Sequence, residues 1–331
     1  MRLSLIAGGA AVLLSACAGQ SATSTDLPPA PVAIVEEDAS LVTTTGTIVG
    51  TIELPAARFP VPVALIIAGS GPTDRNGNSA GFPGPNNSLK MIADALAAQG
   101  IASLRYDKRG IAGSRAAAQS EADLRFDHFV TDAAEWIRQL RGDKRFSTIT
   151  VVGHSEGSLI GMVAARQANA DGYVSIAGSG RTATDILTEQ LSAQLPPPLL
   201  AQARDIMAKI AVGEKPDSVP PVLNALFRPS VQPYLTSWFS LDPAAEIAKL
   251  TVPVLILQGT TDLQVKVDDA NRLAAAKPGA RLVTIEGMNH VLKAVSGPIG
   301  QQLPSYSDPS LPVVPRLLDE IVAFVKALPR R

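Results

Sequence analysis

One cysteine, Cys17, stands in 331 residues, so no intrachain disulfide and no cysteine-built metal cluster can form. Aromatic residues make up only 4% of the chain, which leaves little with which to stack bases or sugars. Neither sign of charge dominates. Lys and Arg number 29 against 30 Asp and Glu, a net charge of −1, so nucleic acid and anionic lipid surfaces exert no general pull. The chain lacks an H-E-x-x-H motif and a dinucleotide-binding glycine fingerprint after a first strand, and so implies no metal and no organic cofactor. What is present is apolar: 46% hydrophobic residues, enough for one large domain with a well-buried core or for two small ones. Small-molecule chemistry is the class of function left standing.

The longest apolar run at the N-terminus, Leu3 to Ala16 behind Met1-Arg2, reaches only roughly half to two-thirds of a membrane-spanning length and suits the core of a signal peptide. It closes on Leu14-Ser15-Ala16-Cys17, which resembles a bacterial lipobox. The resemblance implies a lipoprotein signal peptide over 1–16 and an acylated Cys17. With Ala18 rather than aspartate next, it implies retention at the outer membrane of the cell envelope, facing the periplasm. "QSATSTDLPPAP" (20–31) is rich in Ser, Thr and Pro and lacks apolar periodicity, so 17–40 is expected to be a tether and 41–331 the folded domain.

Within that domain, short apolar runs alternate with amphipathic stretches. "LVTTTGTIVGTIELP" (41–55) predicts a hairpin, and 61–69, 101–107, 148–153, 172–178, 252–259 and 281–287 predict strands. Helices are expected from Ser88, as N-cap, to Gln99; along the face of Phe126, Phe129, Val130, Ala133, Ile137 and Leu140; over 155–167; near 266–276; and over 314–328. This alternation predicts an α/β fold, a mostly parallel sheet flanked by helices on both faces. Residues 181–245 break the rhythm, with helical stretches interrupted by Pro196-Pro197-Pro198 and Pro220-Pro221. They are expected to form a cap bordering a pocket, because ligands bind at the carboxyl ends of such strands.

Gly153-His154-Ser155-Glu156-Gly157 lies between a predicted strand and a predicted helix, the context in which G-x-S-x-G forms a nucleophile elbow. The tight turn lifts a serine hydroxyl clear of the sheet, beside free N–H groups at a helix start. A serine needs a base. Of three histidines, His154 is expected to be a packing residue of the turn and His128 a structural one, which leaves His290 after the strand at 281–287. The acid that orients the base should lie between serine and histidine in the chain. Asp262, just beyond the strand at 252–259, is the candidate; Asp242, Asp268 and Asp269 are expected to be surface charges. The oxyanion would be held by the backbone N–H groups of Ser70 and Glu156, with Gly71 N–H competing for the role of Ser70.

Together "AGSGPTDRNGN", "RYDKRGIAGS", "GHSEGSLIG", "SWFSLDPAAEIAKL", "VPVLILQGTTDLQV" and "EGMNHVLK" resemble the α/β-hydrolase superfamily, in particular its bacterial carboxylesterase-like branch, often labelled serine aminopeptidase-like. The resemblance spans about Leu41 to the C-terminus. It implies an α/β-hydrolase fold with a helical cap and a serine hydrolase that cleaves small acyl esters without metal or cofactor. By the same resemblance, Arg105, Asp107, Arg109 and Gly110 brace the oxyanion loop, and Asp74 and Arg75 shape it. A peptidase or amidase with the same triad, and a lipid-anchored binding protein without turnover, are the competing expectations.

Overall fold

The computed structural model describes residues 33–329. The signal segment, Cys17 and the tether up to residue 32 lie outside the described residues.

Among the described residues the sheet has eight strands in the order β1-β2-β4-β3-β5-β6-β7-β8. Strands β1 (Val35–Thr43) and β2 (Gly46–Leu54) form an antiparallel hairpin, and β2 also runs antiparallel to β4 (Ala102–Tyr106). The rest, β3 (Val61–Ile67), β5 (Phe146–His154), β6 (Gly172–Ile176), β7 (Val254–Gly259) and β8 (Arg281–Ile285), run parallel to their neighbours and to β4. The central strands are buried along their whole length, which is why they read as continuous apolar runs. The hairpin differs from expectation at its start. β1 begins at Val35, inside the segment expected to be tether, because an edge strand exposed at Val35, Glu36, Glu37 and Asp38 carries no apolar signal.

Helices α1 (Ser88–Ala98), α2 (Phe126–Gly142) and α3 (Glu156–Gln167) follow β3, β4 and β5. Ser88 is the first helical residue of α1; the cap position falls to Asn87, held in the left-handed region at φ 54°. Between β6 and β7 come only helices: α4 (Ala183–Ser192), α5 (Pro197–Ala211), α6 (Asn224–Phe227), α7 (Gln232–Phe239) and α8 (Pro243–Ala248). α9 (Val267–Ala276), α10 (Ile299–Gln302) and α11 (Pro315–Ala327) complete the chain.

Two cores form on the two faces of the sheet. Phe126, Trp136, Ile137, Leu159 and Ile160 cover one, and Leu89, Ile92, Leu317, Ile321 and Val325 cover the other. The insertion has a core of its own, built on Ile206, Met207, Ile210, Phe227, Leu235 and Phe239. Tyr234 and Trp238 pack on that core and on the sheet core at once, and Trp238 stacks on Phe126 with ring centroids 6.3 Å apart. Phe126, Phe129, Tyr234, Trp238 and Phe239 form an aromatic cluster where insertion and sheet meet.

Candidate active site

Strand β5 ends at His154 and α3 starts at Glu156, so the whole reversal falls on Ser155, with φ 55° and ψ −122°. For a residue with a Cβ this conformation costs about 1–3 kcal/mol and persists only where the surroundings impose it. Here they do. Ser155 N donates to the Ile176 carbonyl of β6 at 2.9 Å, and the glycines on either side let strand and helix close up. A Cβ on Gly153 would overlap the Gly157 carbonyl, and one on Gly157 would overlap the Ile67 carbonyl of β3.

Several N–H groups of the described residues near this serine are unsatisfied, those of Gly71 and Gly157 among them. Among the described residues neither Ser70 N–H, in the loop after β3, nor Glu156 N–H, the first of α3, has a hydrogen-bond partner. Ser70, Ser155 and Glu156 line one narrow cavity of about 90 Å³, whereas Gly71 does not reach it. The remaining lining is largely apolar: Leu159 from α3, Ile186 and Leu187 from α4, Trp238 from α7, and Val265. A wider cleft of about 360 Å³ lies elsewhere, beside Arg75, Arg105 and Asp107. Its charges are already paired: Arg75 with Asp107, and Arg105 with Glu53 and Glu36.

The loops after β7 and β8 bring Asp262 and His290 together. Thr261 N donates to the Met288 carbonyl at 3.2 Å, and Gly259 allows the contact, since a Cβ there would strike that same carbonyl. His290 Nδ1 donates to Asp262 Oδ2 at 2.8 Å, and both side chains are buried. Asp262 Oδ1 accepts from Gln264 N (2.8 Å) and Val265 N (3.0 Å), and Gln258 Nε2 donates to Oδ2 at 3.3 Å. Burial by itself would raise the Asp262 carboxyl. The facing His290 and these hydrogen bonds outweigh burial and hold it below the ordinary carboxylate value. Among the described residues Ser155 Oγ makes no hydrogen bond to His290; such bonds are often long without substrate and tighten in the reacting complex.

His154 does more than pack. Its Nε2–H donates to the His290 carbonyl at 2.9 Å, and the two rings lie 5.0 Å apart. The elbow and the His290 loop are therefore joined one residue away from the serine. Burial, followed by the charge on His290, pushes the His154 imidazole down to about 4 and keeps it neutral. His128 is exposed on α2, away from these groups.

The other candidate carboxylates divide. Asp242 is exposed and caps α8 by accepting from Ala244 N at 2.9 Å, and Asp268 is exposed on α9. Asp269 corrects the expectation of a surface charge. It is fully buried and accepts from Arg181 Nε (2.9 Å), Arg181 Nη2 (2.8 Å) and Gly180 N (3.2 Å), fixing the chain where it enters the insertion. Asp269 sits at N3 of α9, where it accepts from Lys266 N, and one turn before the buried Leu273, positions Asp268 does not share; the partner that compensates its burial comes from the β6–α4 segment.

Of the residues expected to brace the loop after β3, Asp107 and Arg105 contact it, whereas Arg109 binds Asp132 of α2, Thr45 and the Ala117 carbonyl instead. Asp107 accepts from Arg75 N (2.8 Å) and Gly113 N (3.0 Å), and Asp74 Oδ1 accepts from Asn76 N and Asn78 N, which closes the loop after β3 on itself. Arg109 is held by Asp132 through two bonds of 3.0 and 2.5 Å. The residue that sequence reasoning passed over lies among them. Lys108 is buried, with its ammonium 2.9 Å from Glu156 Oε2 and 2.5 Å from the Gly69 carbonyl.

A mostly parallel sheet that carries a serine elbow after a central strand, with an acid and a histidine on later strand ends, defines the α/β-hydrolase class of fold. The chain belongs to the alpha/beta hydrolase family, which matches residues 64–295. It is 27% identical over 279 residues to esterase EstD of Thermotoga maritima, an alignment that covers 83% of this chain and 65% of that protein, so the chain spans about two-thirds of its relative's length. Among solved structures it resembles the alpha/beta hydrolase GrgF from Penicillium sp. sh18, with a TM-score of 0.59, 19% identity, and coverage of 88% of this chain and 98% of that one. Est1E from Butyrivibrio proteoclasticus gives a TM-score of 0.56 at 18% identity, with coverage of 88% and 99%. At such identities these structures bear on the fold.

Proposed function

We propose that the protein is a serine carboxylesterase that cleaves small acyl esters through an acyl-enzyme on Ser155. The observation that carries this reading is that Ser70 and Glu156, whose backbone N–H groups have no partner among the described residues, line one cavity with Ser155. Unpartnered donors of this kind support an oxyanion hole for the carbonyl oxygen that gains charge. Ser155 Oγ attacks the ester carbonyl while His290 Nε2 takes its proton. Asp262, bonded to Nδ1, holds the productive tautomer and offsets the imidazolium charge. Collapse of the tetrahedral intermediate returns the proton to the leaving alcohol. Water, activated by the same histidine, then releases the acid and restores the serine.

The apolar side chains of Leu159, Ile186, Leu187 and Val265 suit a short acyl group, in a lining that also carries Arg181, Gln190 and Gln264. The esterase name of the Thermotoga relative supports the same bond type. A peptidase reading finds less support. Glu156 is the only carboxylate among the lining residues, and its side chain is engaged by Lys108 rather than free for a peptide's amino end. Labelling with a fluorophosphonate, followed by turnover on p-nitrophenyl esters and aminoacyl anilides, tests the proposal. Ser155 labelling with ester turnover is expected. Failure to label would leave a binding protein, and preference for anilides would leave a peptidase.

We further propose that lipidation at Cys17 ties this esterase to the envelope membrane of a bacterium, on the strength of the "LLSAC" run alone.

A further inference from the structure

We infer that Lys108 is a positioning residue that aims the oxyanion donors, an inference that rests on the serine esterase reading above. Its ammonium is buried where three segments meet: the turn after β4, the loop after β3 and the start of α3. The bond to the Gly69 carbonyl is the informative one. That carbonyl and Ser70 N–H belong to one planar trans peptide, in which C=O and N–H point in opposite directions. Holding the oxygen on the Lys108 side turns the Ser70 N–H the other way, toward the cavity that Ser70 lines with Ser155.

Lys108 reaches the second donor as well, because its other partner is the side chain of Glu156, whose own N–H is that donor. One cation thus fixes the relative placement of both N–H groups. The Glu156 carboxylate offsets the charge that would otherwise be buried there. The loop is pressed from the other side too: a Cβ on Gly69 would sit 3.1 Å from Ser155 Cβ and 3.3 Å from His154 Nδ1. Without side-chain bulk at Gly69, that peptide is free to flip unless something holds its oxygen. Phe129, whose ring centroid lies 5.5 Å from Lys108 Nζ, closes the remaining side of the ammonium.

Lys108→Met keeps the length of the side chain and removes the donor; Lys108→Met/Glu156→Gln also removes the orphaned carboxylate. In both, kcat on a p-nitrophenyl ester should fall about 10²–10³-fold, the size of losing one oxyanion donor, with KM little changed. Affinity for a trifluoromethyl ketone, whose adduct places an oxyanion in the same position, should fall by the same factor. A double variant with wild-type melting and unchanged kcat would overturn the inference. Should neither variant fold, the wild-type fluorophosphonate adduct decides. Its phosphonyl oxygen is expected on Ser70 N and Glu156 N with the Gly69 carbonyl still on Lys108, and an oxygen held by Gly71 N instead overturns it. A wild-type protein that forms no adduct at all refutes the esterase reading rather than the role of Lys108.

Discussion

Asp262 accepts four hydrogen bonds, three that fix its own loop or strand and one from the proposed base. Asp262→Asn keeps the size of the side chain and can favour the wrong imidazole tautomer, so kcat should fall by roughly 10⁴-fold with KM nearly constant. Ser155→Ala should cost at least about 10³-fold while leaving the melting temperature near wild type, since alanine retains the Cβ that the turn already accommodates. Steady-state kinetics of both variants on one p-nitrophenyl ester check these values. His154 predicts a pH effect. Its imidazole titrates near 4 in the folded chain against 6.5 as its reference, so the unfolded chain binds the extra proton first. The contribution of this histidine to stability is therefore complete above pH 6.5 and is lost as pH falls toward 4, by on the order of 3 kcal/mol. His154→Gln keeps a donor for the His290 carbonyl and should remove that part of the slope. Denaturant melts of both proteins at stepped pH measure it.

Elements meet at the base of the insertion through charge. Arg181, just before α4, is shared between Asp269 of α9 and Glu189 of α4, with 2.6 Å from Nη1 to Glu189, and Glu189 also takes Lys266 at 2.7 Å. Asp269 is the buried member, and its loss leaves Gly180 N and the guanidinium short of an acceptor. Asp269→Asn keeps Oδ1 for Gly180 N and Arg181 Nε but replaces the oxygen that accepts from Arg181 Nη2 and Lys266 N with an amide donor. It should cost about 1–3 kcal/mol, as expected for buried donors left unsatisfied, and should raise KM because Arg181 lines the cavity. Asp268→Asn, one residue away and exposed, should stay within about 0.5 kcal/mol of wild type. Thermal melts and KM for the two variants side by side separate a buried tie from a surface charge on one helix. The same residues explain why the insertion was legible only as an interruption. Prolines marked it as several helical stretches, but which residue compensates the buried Asp269 depends on what packs against α9.

For the whole molecule, no helix among the described residues is long and apolar enough to cross a membrane. Cys17→Ala should give a protein no longer lipidated at this site, because the change removes the residue proposed to carry the acyl chains. Fractionation with mass spectrometry of the N-terminus checks it, and a wild-type protein that is wholly soluble and unlipidated refutes the anchor. The sequence by itself determined the order of strands and helices along the chain and the spacing of Ser155, Asp262 and His290 at their strand ends. Burial on both faces of a sheet, helical periodicity and a G-x-S-x-G turn are local demands that each stretch must meet alone. Tertiary structure decided what happens between stretches: that Asp269 is buried while Asp268 is not, that His154 holds the His290 loop, and that Lys108 joins Gly69 to Glu156. A charged side chain carries the same letter whether water or a distant segment surrounds it. Only the packed chain brings its partner, and with it the energy that keeps the charge inside.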